Sequence, residues 1–109
     1  MKTIASVTAA LAITACAALA AEPPEAYTKQ CASCHGKDGA GHTKAGKKLE
    51  VKDLTDAAYQ KGFSDEEAFK AIKEGMKGKD GSEKMKPFNE KLTDDEITAV
   101  VKYVRTLAK

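Results

Sequence analysis

The clearest pattern of hydrophobic and polar positions lies at the C-terminal end. Ile97, Val100, Val101, Val104 and Leu107 recur at helical spacing and form one apolar stripe. Thr93 and Glu96 have the spacing of a capping box, Leu92 and Ile97 that of a hydrophobic staple, and Asp94 and Asp95 suit the positive end of a helix dipole. Lys102, Arg105 and Lys109 suit the other end, so this segment is predicted to be a helix. A second helix is predicted from Ser64, with Glu67 completing its capping box and Ala68, Phe69 and Ile72 on one face; Gly75 is its stop. Met76 continues that spacing and is expected to fill core space. Shorter helices are predicted from Pro23-Pro24 to Cys31, carrying Glu25, Tyr27 and Gln30, and between Val51 and Gln60, with Leu54, Ala57 and Ala58 as its apolar side. Two stretches read as loops: 36–48, with glycines at 36, 39, 41 and 46, and 77–90, with Gly78, Gly81 and Pro87. No strand alternation and no internal repeat stands out.

The N-terminal segment has a different pattern. Lys2 is a short positive region, 3–17 is rich in Ala, Leu, Ile and Val, and Ala18-Leu19-Ala20 fits an A-x-A cleavage site. Residues 1–20 are therefore expected to be a cleavable secretory signal peptide and 21–109 the mature domain. A membrane-spanning helix is one alternative, disfavoured by a short, Ala-rich run with no stop-transfer charges after it. A lipoprotein is another, since Ile13-Thr14-Ala15-Cys16 resembles a processing box that would make Cys16 the lipidated first residue.

Composition sharpens the picture of the mature part. Of the 88 residues from Glu22 to Lys109, 30 are Ala, Val, Ile, Leu, Met, Phe, Tyr or Cys, about a third. That is lean for a globular domain, and a chain this small folds only marginally on its own side chains. A buried prosthetic group would supply the missing apolar volume. The whole chain has 18 basic and 16 acidic residues, and loss of Lys2 leaves a near-neutral domain, which argues against nucleic-acid binding. Lys77, Lys79, Lys84 and Lys86 cluster around Met85, and Lys44, Lys47 and Lys48 form a second group. These lysines fit either a surface that steers acidic partners or a solvated loop that keeps the protein soluble.

The candidate chemistry is concentrated in Cys31-Ala32-Ser33-Cys34-His35. C-x-x-C-H is the attachment signature of a c-type haem: the two thiols form thioethers to one edge of the porphyrin, and the following histidine reaches the iron. A redox dithiol wants a βαβ context that is not evident here, and a zinc site would need a second ligand pair where only His42 is spare. With Cys16 removed, the two remaining cysteines both belong to this motif, and the Gly-rich loop after it would let backbone pass close to a flat cofactor.

The order of C-x-x-C-H, Gly-rich loop, central helices, Met85-Lys86-Pro87-Phe88 and a C-terminal helix containing Tyr103-Val104-Arg105 resembles the class I c-type cytochromes over essentially the whole mature chain. The resemblance implies an all-α, cytochrome c-like fold of three to five short helices wrapped around one covalently bound haem c. It implies that the first and last helices cross near a haem edge, with Tyr27, Tyr103 and Leu107 as candidate contacts. Cys31 and Cys34 would then hold the porphyrin, and His35 and Met85 the iron. Met76 and His42 are the rival ligands, Met76 being read as core and His42 as a solvent-facing or structural residue. Three positions depart from the family pattern. Lys47 stands where many members have a proline whose carbonyl orients the ligand histidine, Lys86 replaces a proline after the ligand methionine, and no tryptophan is available for a propionate, so Tyr59 or a lysine would serve. The function implied is a periplasmic, monomeric one-electron carrier that docks transiently and electrostatically on a redox donor and acceptor, without enzyme activity and with a membrane attachment only if Cys16 is lipidated. The alternatives are a cytochrome subunit of a dehydrogenase or peroxidase system and a gas-binding or sensing haem protein.

Overall fold

The computed structural model describes residues 22–109; the signal-peptide reading, Cys16 and the hydrophobic run at 3–17 lie outside the described residues. The described chain is mostly helical. A π-helical turn, Tyr27–Cys31, runs into α1 (Ala32–His35), followed by α2 (Lys44–Leu49), α3 (Ala57–Lys61), α4 (Asp65–Glu74), the short antiparallel strands β1 (Met76–Lys77) and β2 (Glu83–Met85), and α5 (Asp94–Thr106). Among the described residues, no helix is long and apolar enough to cross a membrane.

Both predicted capping boxes form. Ser64 and Thr93 accept from the backbone N–H of Glu67 (3.0 Å) and Glu96 (3.2 Å), and each glutamate accepts the cap's own N–H in return. The stripe of α5 is buried as expected, with Ile97 and Val100 almost wholly enclosed, and each such side chain contributes roughly 1.5–3 kcal/mol on leaving water. Leu92, the other half of the predicted staple, is buried too. Lysine 73 near the end of α4 pairs with Asp94 at the start of α5, 3.2 Å away, so these two helices meet there.

Three local expectations change. The segment 36–48 is not all loop, because Thr43 caps α2 by accepting from the Gly46 N–H. The helix expected between Val51 and Gln60 starts only at Ala57, where Asp56 caps it, because Asp53 first closes a turn onto the Thr55 N–H and hydroxyl. The loop 77–90 contains a ribbon whose turn is closed by Gly78 N–H donating to the Ser82 carbonyl (2.8 Å) and by Asp80 accepting from Ser82.

Candidate functional site: an apolar cleft between a cysteine-histidine turn and a methionine ribbon

The C-x-x-C-H segment is helical, and its exit is fixed by three consecutive carbonyls. The Cys34 carbonyl accepts from the Thr43 hydroxyl (2.8 Å), that of His35 from the Gly41 N–H (2.8 Å), and that of Gly36 from the Tyr27 hydroxyl (2.6 Å). Tyr27 is itself almost wholly buried, its ring edge-on to Tyr103 with centroids 4.8 Å apart. This joins the first helical segment to α5, as the sequence implied. Burial holds the Tyr27 hydroxyl protonated far above its usual range, so it remains a donor.

Gly46 brings α2 against this turn. A Cβ at that position would overlap the Cys34 carbonyl oxygen and lie 2.6 Å from that of Gly41. The glycines of 36–46 thus serve close approaches within the protein; none of them lines the cleft described next.

His35 and Cys31 face a cleft with about 840 Å³ of atom-free space, partly open to solvent. Leu54, Tyr59 and Phe63 line it before α4; Ala68, Ala71 and Ile72 line it from α4; Val100, Val101 and Val104 line it from α5; and Met76 and Met85 line it from the ribbon. Cys34 is half-buried beside this cleft and does not line it, and His42 is exposed in a separate shallow pocket with Lys37 and Asp38. Among the described residues no three or more His, Cys, Asp or Glu side chains gather as a metal site, so the zinc alternative finds no ligand set.

The two thiols are free, and burial, with the neighbouring Cys34 second, pushes the Cys31 thiol up to about 11. Burial lowers the pKa of His35, which favours the neutral imidazole a metal requires. His35 Nδ1 is enclosed without a hydrogen-bond partner, an unsatisfied ring nitrogen on a residue that lines the cleft. The Lys47 carbonyl does not orient this histidine. Glu50, in the left-handed region at φ 56°, closes α2 by donating its N–H to the Gly46 and Lys47 carbonyls. The lysine carbonyl is thereby engaged in ending the helix.

The ribbon departs from expectation at Met76. Gly75, at φ 79°, ends α4, and its backbone lies against the next loop, since a Cβ there would come within 2.6 Å of the Met85 carbonyl oxygen. Met76 is then half exposed rather than in the core, directly opposite Met85. Met85 is partly buried against the core, and Phe88 anchors its loop by donating its N–H to the Ile72 carbonyl (3.0 Å). Lys77, Lys79 and Lys86 around it are exposed and Lys84 is half-buried; none of the four forms an ion pair among the described residues.

Sequence reasoning missed the buried polar contacts that hold the far end of the cleft. Gln60, 4 % exposed, donates from Nε2 to the carbonyls of Leu54 (2.6 Å) and Val104 (2.8 Å). Arg105, assigned by sequence to the helix dipole, donates to Asp65, to the carbonyls of Gln60 and Phe63, and stacks over the Phe63 ring at 4.4 Å. An interior glutamine gives no periodic signal, and only its isolation within a capped apolar segment hinted at it.

The donor set, the apolar walls and the free thiols fit a flat macrocycle bonded along one edge. The comparisons agree. Residues 18–104 match the family model described as cytochrome c oxidase, cbb3-type, subunit III. The fold is similar to a solved structure named KustC0563 c-type cytochrome, with a TM-score of 0.66 and 38 % identity over 76 % of this chain and 93 % of that one. It is also similar to a tyrosine-to-phenylalanine mutant of that cytochrome, with a TM-score of 0.62 and 38 % identity over 72 % of this chain and 89 % of that one. The chain belongs to this family of c-type cytochromes, as a small class I member with an electron-carrier's cytochrome c-like fold and a single covalently bound haem c.

Proposed function

We propose that the protein is an exported, periplasmic one-electron carrier in which Cys31 and Cys34 hold the porphyrin and His35 and Met85 bind the iron. The observation that carries this reading is the placement of the His35 imidazole and the Met85 thioether on the lining of one apolar cleft. A thioether is a soft, neutral donor that favours the ferrous state and so raises the reduction potential, and the haem bound there supplies reversible one-electron chemistry. The chain's part would be to hold the iron through both His35 and Met85, leaving no ligand place for a substrate, and to limit water with the walls of α4 and α5. The exposed lysines around Met85 suit transient docking on acidic surfaces, with association that weakens as salt rises. Tyr59, on the cleft lining, is the hydroxyl best suited to a propionate.

The test is a spectrum of the purified ferric holoprotein, which should show the weak far-red thioether-to-iron band, with the reduced form slow to bind carbon monoxide. A missing band together with prompt carbon monoxide binding would favour sensing or catalysis. The mass of the mature N-terminus distinguishes cleavage near residue 20 from lipidation of Cys16. The family description favours a second reading, in which the chain is a subunit of a larger oxidase. Stable co-purification with such a complex at high salt would support that reading over a free carrier.

A further inference from the structure

The ribbon that carries Met85 holds a second thioether beside it. Met76 is the cross-strand partner of Met85, next to a register irregularity between Met76 and Lys77, and opposite residues of an antiparallel pair project from the same face with Cβ atoms about 4.5–5.5 Å apart. Both side chains line the cleft that His35 lines. Their environments differ, because Met85 packs on the core whereas Met76 is 50 % exposed and outside the core cluster. Packing therefore does not account for a large apolar side chain at Met76. At Gly75 the chain passes so close to the second strand that a Cβ there would come within 2.6 Å of the Met85 carbonyl oxygen and 2.9 Å of the Pro87 nitrogen. A methionine is unbranched and flexible, so the second sulfur can move within the cleft without moving the ribbon.

Resting on the ligation by His35 and Met85 proposed above, we infer that Met76 is a reserve axial ligand whose thioether takes the sixth position on iron when the Met85 sulfur leaves it. The exchange breaks one sulfur–iron bond and forms another. Both donors are neutral, so no proton moves and the iron keeps its oxidation state. Lys84 and Lys86 flank Met85 and are the competing donors, but an ammonium must lose a proton before it can bind a metal. The Met76 sulfur carries no such cost.

Four holoproteins test this: the parent, Met76→Leu, Met85→Ala and the double variant, each read by the ferric far-red band and by carbon monoxide binding to the reduced form. The parent and Met76→Leu should be alike. Met85→Ala should keep a far-red thioether band, and the double variant should lose it. If Met76 fills the position about nine-tenths of the time, carbon monoxide should bind Met85→Ala roughly tenfold more slowly than the double variant. In reduced Met85→Ala carrying methyl-labelled methionine, one methyl resonance should lie far upfield from ring-current shielding, a readout available even from a small folded fraction. Loss of the band in Met85→Ala, whether carbon monoxide binds promptly or a lysine blocks it, overturns the reserve role and leaves Met85 as ligand. A parent without the band overturns the ligation reading itself. Loss of the band in Met76→Leu with retention in Met85→Ala overturns both assignments.

Discussion

Gln60→Met tests whether the end of the cleft is held by buried hydrogen bonds. The substitution keeps the length of the side chain and removes its amide. Two short bonds disappear, to the Leu54 carbonyl at 2.6 Å and the Val104 carbonyl at 2.8 Å, together with the long one that Gln60 Oε1 accepts from Arg105 at 3.4 Å. The Val104 carbonyl keeps a second donor, the Leu107 N–H at 3.1 Å, whereas the Leu54 carbonyl has no other among the described residues. A paired acceptor that loses one bond forfeits about 0.5–1.5 kcal/mol, and a buried one left without a partner about 1–3 kcal/mol, so the variant should lose about 1.5–4.5 kcal/mol. That is a large part of the 5–15 kcal/mol typical of a domain, and at this size it lowers the melting temperature by on the order of 10 °C or more. Leu54 and Val104 both line the cleft, yet neither is a donor to iron, so the far-red band should be unchanged. Denaturant titration followed by far-UV circular dichroism and by the haem absorption measures both effects. A loss below about 0.5 kcal/mol, less than one ordinary hydrogen bond, would refute the account of Gln60 as the tie between the two walls.

Other perturbations separate the remaining contacts. Gly46→Ala should lower the yield of holoprotein and cost about 1–3 kcal/mol by overpacking, because its Cβ meets the Cys34 carbonyl; Gly62→Ala, with φ −79° and its nearest contact at 3.2 Å, is the tolerated control in the same denaturation assay. Tyr27→Phe keeps the ring against Tyr103 and removes the shorter of two bonds to the Gly36 carbonyl, which keeps the Gly39 N–H at 3.3 Å, so the expected cost is about 0.5–1.5 kcal/mol; no measurable loss would show that water replaces the hydroxyl. The Thr55 hydroxyl and N–H hold the Asp53 carboxyl below its ordinary pKa. A depressed carboxylate adds stability above its unfolded value, about pH 4, and loses it as pH falls through the folded value, so parent and Asp53→Asn should differ in stability at neutral pH and converge in acid.

The legible parts of the fold were those set by local rules. Ser64 and Glu67, Thr93 and Glu96, and the stripe from Ile97 to Val104 declare their helices within a few residues, and the structure follows them. The helix α2 was not legible, because Lys44–Leu49 has three lysines and a glycine among its six residues and no apolar stripe. Its position comes from Gly46 meeting a carbonyl twelve residues earlier, a contact with no periodic trace. Met76 was misplaced for a related reason: helical spacing from Phe69 and Ile72 extended past Gly75, but a glycine at φ 79° turns the chain there, and spacing loses its meaning across the turn. The candidate site residues were legible as types, since Cys31, Cys34 and His35 stand in one motif and Met85 two residues before Pro87. The cleft walls from Leu54, Phe63 and Ala71 were not, because nothing in one chain's periodicity says which buried faces enclose a void.

The two sides of the cleft differ in how firmly the chain holds them, and that asymmetry bears on which of the two proposed ligands, His35 or Met85, would be the more easily displaced. The histidine side is fixed by hydrogen bonds to the carbonyls of Cys34, His35 and Gly36, one of them from an almost wholly buried tyrosine. The methionine side is a ribbon of two and three residues, with Met76, Lys77 and Glu83 exposed, tethered through Gly75 at one end and Phe88 at the other. A two-stranded ribbon is at best marginally stable alone, and local opening begins where few apolar contacts protect the backbone. Amides of 77–84 should therefore exchange with deuterium well before those of Val100, Val101 and Val104, and the backbone around His35 should be protected like α5. Exchange that is equally slow in the ribbon and in α5 would mean that the methionine side is anchored as firmly as the histidine side. On the ligation proposed above, the Met85 sulfur would then leave iron no more easily than the His35 imidazole.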